Sequence, residues 1–153
     1  MADSISHVKR REIQAPIVAT LINGFAKELG REKAMEIAIR TIQEDARADG
    51  QKTGLEYGRD LKGLAQVVKE VWCEDGGVII DILEESDDTF AFNVKKCGYA
   101  EAYEKLGIKE LGTCLSCHRD EPFAEAFGPN IKLHRTQTIM DGAPHCDFKY
   151  TRD

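Results

Sequence analysis

The stretch Gly76-Gly77-Val78-Ile79-Ile80-Asp81-Ile82-Leu83-Glu84-Glu85-Ser86-Asp87-Asp88-Thr89-Phe90-Ala91-Phe92-Asn93-Val94-Lys95 decides the fold. Val78 to Leu83 is rich in β-branched residues, which suit a pleated surface. Asp87-Asp88 is a turn signal. Thr89 to Lys95 then alternates, with Phe90, Phe92 and Val94 on one face. The two segments predict an antiparallel hairpin, and Gly76-Gly77 marks where helical patterning gives way to strands.

Upstream, three helices are expected. Ile17, Leu21, Ile22, Phe25 and Leu29 fall on one stripe, stopped by Gly30, with Pro16 tolerable near the start. Ala34, Ile37, Ala38, Thr41 and Ile42 form a second stripe, ended by Gly50. Leu61, Leu64, Ala65, Val68 and Trp72 form a third. All three are read as ordinary core-facing surfaces.

Downstream, Gly98 to Leu106 predicts a short helix stopped by Gly107. Pro122 to Phe127 predicts another, with Asp120 placed to cap its N-terminus. Gly128-Pro129-Asn130 is a loop and Ile131 to Met140 a strand. Asp141-Gly142-Ala143-Pro144 turns the chain into a last strand, Cys146 to Tyr150. The sum is an α+β fold, with N-terminal helices packed on a roughly four-stranded antiparallel sheet. One domain over 1–153 is expected, helical over about 1–75 and sheet-rich over about 76–153.

Composition narrows the function. At 153 residues the chain can bury a sizeable core. With 42% hydrophobic and 31% charged residues it reads as globular rather than disordered. Lys+Arg is 21 and Asp+Glu is 27, a net charge of -6, so no basic footprint for nucleic acid is expected. No apolar run is long enough to span a bilayer, so no membrane partner is expected. The polar start, Met1 to Arg11, has no apolar signal core, and a cytoplasmic location follows as an expectation.

The five cysteines, Cys73, Cys97, Cys114, Cys117 and Cys146, are an odd number in a chain expected to stay reduced. Cys73 beside Trp72 reads as a core residue. Cys114-Leu115-Ser116-Cys117-His118 matches the c-type haem attachment pattern, but no export signal accompanies it and no haem is expected.

Two uses of these thiols stay open. Cys114-x-x-Cys117 and His145-Cys146 could hold a tetrahedral metal, although their spacing is not that of a zinc ribbon. Alternatively Cys117 is a nucleophile, flanked by His118 and Arg119 and just ahead of a helix N-terminus. Asp120 is then a general base, or simply a cap. The last candidate lies in the strand Ile131 to Met140, where Arg135 and Gln137 interrupt an otherwise apolar face. A buried guanidinium needs an anion. That anion is either an acidic residue of the chain or a substrate carboxylate, whose shape matches the guanidinium fork.

From Cys97 to the C-terminus the chain resembles the L-2-amino-thiazoline-4-carboxylic acid hydrolase family. The match is carried by Cys97-Gly98-Tyr99-Ala100, Tyr103, Leu106-Gly107, Leu111-Gly112, Cys117-His118-Arg119-Asp120, Phe127-Gly128-Pro129 and Ile131-Lys132-Leu133. It closes on Arg135-Thr136-Gln137-Thr138-Ile139-Met140, Gly142-Ala143 and Cys146-Asp147-Phe148. The helical half matches only loosely.

The resemblance implies a hydrolase that opens a small, carboxylated, cyclic amidine-like ring. In the named reaction water adds at the carbon between sulfur and nitrogen, the C–S bond breaks and N-carbamoyl-L-cysteine results. It also implies a site built from Cys97, Cys117, Asp120 and Cys146, with Cys114, His118 and His145 as bystanders. The substrate-binding residues expected are Arg135, Gln137 and Thr138; the catalytic ones are Cys117, Asp120 and Cys146. A layout of this kind is similar to 4-vinyl reductase-type domains, where cysteines and an acidic residue hold zinc. Zinc or another divalent metal on Cys97, Cys117, Asp120 and Cys146 is therefore one expectation, and a metal-free cysteine site the other. A small-molecule sensing domain with a structural zinc is the non-enzyme alternative. Homo-oligomerisation stays open.

Overall fold

A computed structural model describes residues 5–153; Met1 to Ser4, the start of the polar N-terminal stretch, lie outside the described residues. Helix α1 (His7–Leu29) begins where the Ser6 hydroxyl accepts from the Lys9 N–H, satisfying one of the free amides of the first turn. Gly30 breaks the chain, and α2 (Arg31–Tyr57) runs back alongside. Asp60 caps α3 (Leu61–Val67) by accepting from the Gly63 N–H at 2.8 Å. A π-helical turn, Val68–Trp72, and a 3-10 turn, Glu74–Gly76, lead into the sheet.

The hairpin forms as expected from β1 (Val78–Glu85) and β2 (Thr89–Cys97). Helices α4 (Gly98–Lys105), α5 (Gly112–Leu115) and α6 (Asp120–Phe127) follow, then β3 (Ile131–His134) and β4 (Cys146–Arg152). The four strands are antiparallel in the order β1-β2-β4-β3. The fold is α+β, helices packed against a four-stranded antiparallel sheet. Phe90, Phe92, Phe148 and Tyr150 from the two central strands are buried beneath Leu61, Leu64 and Val68. No helix among the described residues is long and apolar enough to cross a membrane.

Four local expectations are corrected. Ile17, Leu21, Phe25 and Leu29 are each more than half exposed, and only Ile22 of that stripe is buried. The helix buries Ala15, Ala19 and Ile22 instead. A spacing of four puts apolar residues on two faces of α1, and the face with small residues is the one that lets α2 come close.

Gly50 does not end α2. The helix continues to Tyr57, and Gly50 and Gly54 are both buried against α6. A Cβ at Gly50 would strike the Phe123 carbonyl, and one at Gly54 the Phe127 carbonyl. Glycine is there for close approach of two backbones.

The strand expected over Ile131 to Met140 stops at His134. The Thr136 and Gln137 N–H groups both turn to the Asp147 carboxylate at 2.9 Å, so these residues leave the ladder. Asp120 is not the cap of α6. It is the first helical residue, with φ -64° and ψ -46°, Arg119 precedes it, and no side chain caps that end.

Candidate functional site

Sheet register gathers the expected residues at one end of the strands. Cys97 ends β2 and precedes α4, and Cys146 opens β4 opposite Val94 of β2. Strand β3 runs antiparallel to β4, with His134 paired to Lys149, so Arg135 emerges beside Phe148. The Arg135 guanidinium lies 5.1 Å from the centre of that ring. Cys117 opens the 3-10 turn that leads into α6, and Asp120 follows one turn later.

Together these residues line a cavity of about 580 Å³, a volume in the range of small-molecule sites. Cys97, Cys117, Asp120, Arg135, Thr138 and Cys146 all reach its wall. The helical half supplies the opposite side through His7, Arg11, Asp49, Val67 and Trp72, among others. Gln137 is outside this wall: its amide donates to the His145 carbonyl at 3.0 Å. Thr138 is buried, donates to Asp141 and accepts from the Asp141 N–H, holding the turn beside the cavity. Cys114 is buried away from the cavity, and Cys73 packs half-buried against the core.

The centre of the site is an ion pair. Arg135 Nη1 donates to Asp120 Oδ2 at 2.6 Å, and Nη2 donates to the Cys117 carbonyl at 3.2 Å. Both side chains are largely buried, at 17% and 18% exposure. Burial pushes the Asp120 carboxyl up to about 6, while Arg135 and then Arg119 pull it back. Asp120 is therefore a stronger base than an ordinary carboxylate, a property useful in a proton acceptor.

The thiols are held in the protonated form. Burial raises Cys117 most strongly, and the neighbouring Asp120 charge adds to it; Arg135 opposes. Burial also lifts Cys146 to about 11, although its sulfur accepts from the Ile139 N–H at 3.2 Å and Arg135 favours its thiolate. Cys97 is raised by burial as well, partly offset by the N–H groups of Ala100 and Tyr99 at the start of α4. All five cysteines are free thiols.

Zinc needs four such donors converging in a structural site, or three with an open position for water in a catalytic one. Among the described residues, no three His, Cys, Asp or Glu side chains form a group that could hold a metal ion. The Asp120 carboxylate is already committed to Arg135. As arranged, the described donor set does not fit a metal ion.

His7 and Arg119 complete the wall, and Asp147, outside it, fixes the loop that follows β3. Arg119, only 8% exposed, pairs with Asp45 at 2.9 Å and reaches Asp49 at 3.9 Å, tying α6 to α2. His7 hydrogen-bonds Tyr99 at 2.6 Å. Burial and then the charges of Arg11, Arg119 and Arg10 hold His7 down at about 4, so it is neutral at pH 7. Asp147 clamps the loop after β3. Burial works against its ionised form, but the Thr136 hydroxyl and the Thr136 and Gln137 N–H groups hold it below the usual carboxylate range. Asp147 lay within the matching block Cys146-Asp147-Phe148, and that was the one available signal for it.

Fold and cavity together describe an α+β protein with a buried thiol, carboxylate and guanidinium at one end of its sheet. The chain belongs to the L-2-amino-thiazoline-4-carboxylic acid hydrolase family, which matches over residues 10–150. No curated protein matches it. Among solved structures it is similar in fold to a trafficking protein particle complex subunit 3 from Naegleria fowleri covalently bound to palmitic acid. The TM-score is 0.56 at 10% identity, over 94% of this chain and 95% of that one. At that identity the likeness concerns the fold alone.

Proposed function

We propose that this protein hydrolyses a small, carboxylated, cyclic amidine-like ring such as 2-amino-thiazoline-4-carboxylate, with Asp120 as general base and Cys117 as nucleophile. The observation that carries this reading is the largely buried Asp120 carboxylate, oriented by Arg135 at 2.6 Å and raised by burial above the ordinary carboxylate range. Membership of the hydrolase family supports the reaction class.

Because burial holds the Cys117 thiol protonated, its proton passes to Asp120 only as the sulfur attacks the ring carbon between sulfur and nitrogen. The electron pair of the C=N bond moves to nitrogen, then returns as the ring C–S bond breaks. The departing sulfur takes the proton from Asp120 and becomes a free thiol. The substrate is now held to Cys117 as an S-linked isothiourea. Asp120 next takes a proton from water, and hydroxide adds to the same carbon. Collapse expels the Cys117 thiolate, which recovers its proton from Asp120. The product carries a carbamoyl nitrogen and a new thiol, and one water has been consumed. Arg135 keeps the carboxylate aimed and offsets the charge that passes between Asp120 and Cys117. Cys146, buried and bonded to the Ile139 N–H, packs the cavity floor rather than attacking.

The test is turnover of 2-amino-thiazoline-4-carboxylate by purified protein, followed as release of free thiol. Intact mass of the protein during turnover should show an adduct that Cys117→Ala lacks. Turnover with no adduct in wild type and full activity in Cys117→Ala would move the nucleophile to water.

A further inference from the structure

Arg135 was the expected anchor for a substrate carboxylate, yet its guanidinium is occupied by Asp120 and by the Cys117 carbonyl. Arg119 is likewise occupied by Asp45 and Asp49. One half-buried cation on the cavity wall is not. Arg11 lies on α1 one turn after His7, and both face the cavity. Among the described residues it makes no ion pair; its Nη1 donates to the neutral Gln14 side chain at 3.2 Å. Arg10 and Lys52, the other cations on that wall without an ion pair among the described residues, are exposed to solvent, where an ion pair is worth little.

We propose that Arg11 is the binding residue for the carboxylate of the substrate, so that the ring is held with its charged group against α1 and its reacting carbon toward Cys117. This deepens the proposed function and rests on it. A guanidinium stays charged even when removed from water, so a partly buried one without an anion is costly unless a ligand supplies it. Burial and then the nearby Arg119 charge weigh against Arg11; the Asp49 carboxylate, which pairs with Arg119 rather than with Arg11, favours it less strongly. The neighbouring His7 is neutral and adds no competing charge. The planar fork of Arg11 matches a carboxylate in two parallel hydrogen bonds. Selection for a carboxylated ring would then come from α1, away from the reacting thiol.

The experiment compares 2-amino-thiazoline-4-carboxylate with 2-amino-2-thiazoline, which lacks the carboxylate, on wild type, Arg11→Gln and Arg11→Lys. Arg11→Gln should lose about 10- to 100-fold in kcat/KM on the carboxylate, mainly through KM, and Arg11→Lys should lose less. On 2-amino-2-thiazoline the three proteins should be alike. Equal losses on both rings, or no loss on the carboxylate, would overturn the assignment. If wild type turns over neither ring, the hydrolase reading fails, and calorimetry with the same two compounds still decides Arg11. Tighter wild-type binding of the carboxylate, abolished in Arg11→Gln, upholds the assignment; no preference for the carboxylate overturns it.

Discussion

The Arg135 guanidinium holds the Asp120 carboxylate at 2.6 Å, joining the residue that follows β3 to the first residue of α6. That contact offsets part of the burial that raises the proposed base above the ordinary carboxylate range. Asp120→Asn should lower kcat by roughly 10²–10⁴-fold while leaving the fold intact by circular dichroism.

The pH profile follows from the same carboxyl. Burial raises Asp120 to about 6, so the base is protonated and inactive below that pH and ionised above it. kcat/KM should fall about tenfold per unit below pH 6 and level off above it. Arg135 pulls the value down, so Arg135→Gln should shift the acid limb to higher pH. A profile that is flat between pH 5 and 8, measured in both proteins, would remove Asp120 from the mechanism.

Cys117 and Cys146 should separate cleanly. Cys117→Ala should lower turnover by more than about 10³-fold with little change in Tm. Cys146→Ala removes a buried acceptor of the Ile139 N–H and should cost stability, about 1–2 kcal/mol, with most turnover kept. Thermal melts beside initial rates distinguish the two.

Asp147 should matter for stability and loop order. It accepts from the Thr136 and Gln137 N–H groups at 2.9 Å, and Asp147→Ala should cost about 1–2 kcal/mol at pH 7. Its carboxyl is held below the ordinary range, so this stability is present above that range and lost as pH falls through the lowered value. The gap in Tm between wild type and Asp147→Ala should therefore narrow on acidification below about pH 4.

Gly54→Ala places a Cβ against the Phe127 carbonyl and would push α6 away from α2. The gain in helix propensity, up to about 1 kcal/mol, is smaller than the overpacking cost of about 1–3 kcal/mol. Tm should fall by several degrees. Activity should fall too, because α6 carries Asp120 at its first residue.

The sequence revealed the sheet and the gathering of thiols better than the helix faces. Alternation in Phe90, Phe92 and Val94 has only one reading, because a strand has two faces and these three are buried. The spacing of four along α1 has two readings. Ala15 and Ala19 won the interior because they admit a close neighbour, which left Leu21 and Phe25 outside. Gly50 resembled a stop, since nothing local reveals that a distant backbone, that of Phe123, rests on it. Arg135 and Asp120 were each singled out, but their pairing depends on a strand ending at His134, and that ending is set by Asp147 from another strand. Arg11 carried no local signal, because only the assembled wall shows that it makes no ion pair among the described residues.

The most direct test of the central claim is the intact mass of the protein quenched during turnover of 2-amino-thiazoline-4-carboxylate. The account predicts an adduct equal to the mass of the substrate, located on Cys117, absent in Cys117→Ala and in protein exhausted of substrate. Steady release of N-carbamoyl-cysteine by Cys117→Ala at the wild-type rate, with no adduct in either protein, would contradict it.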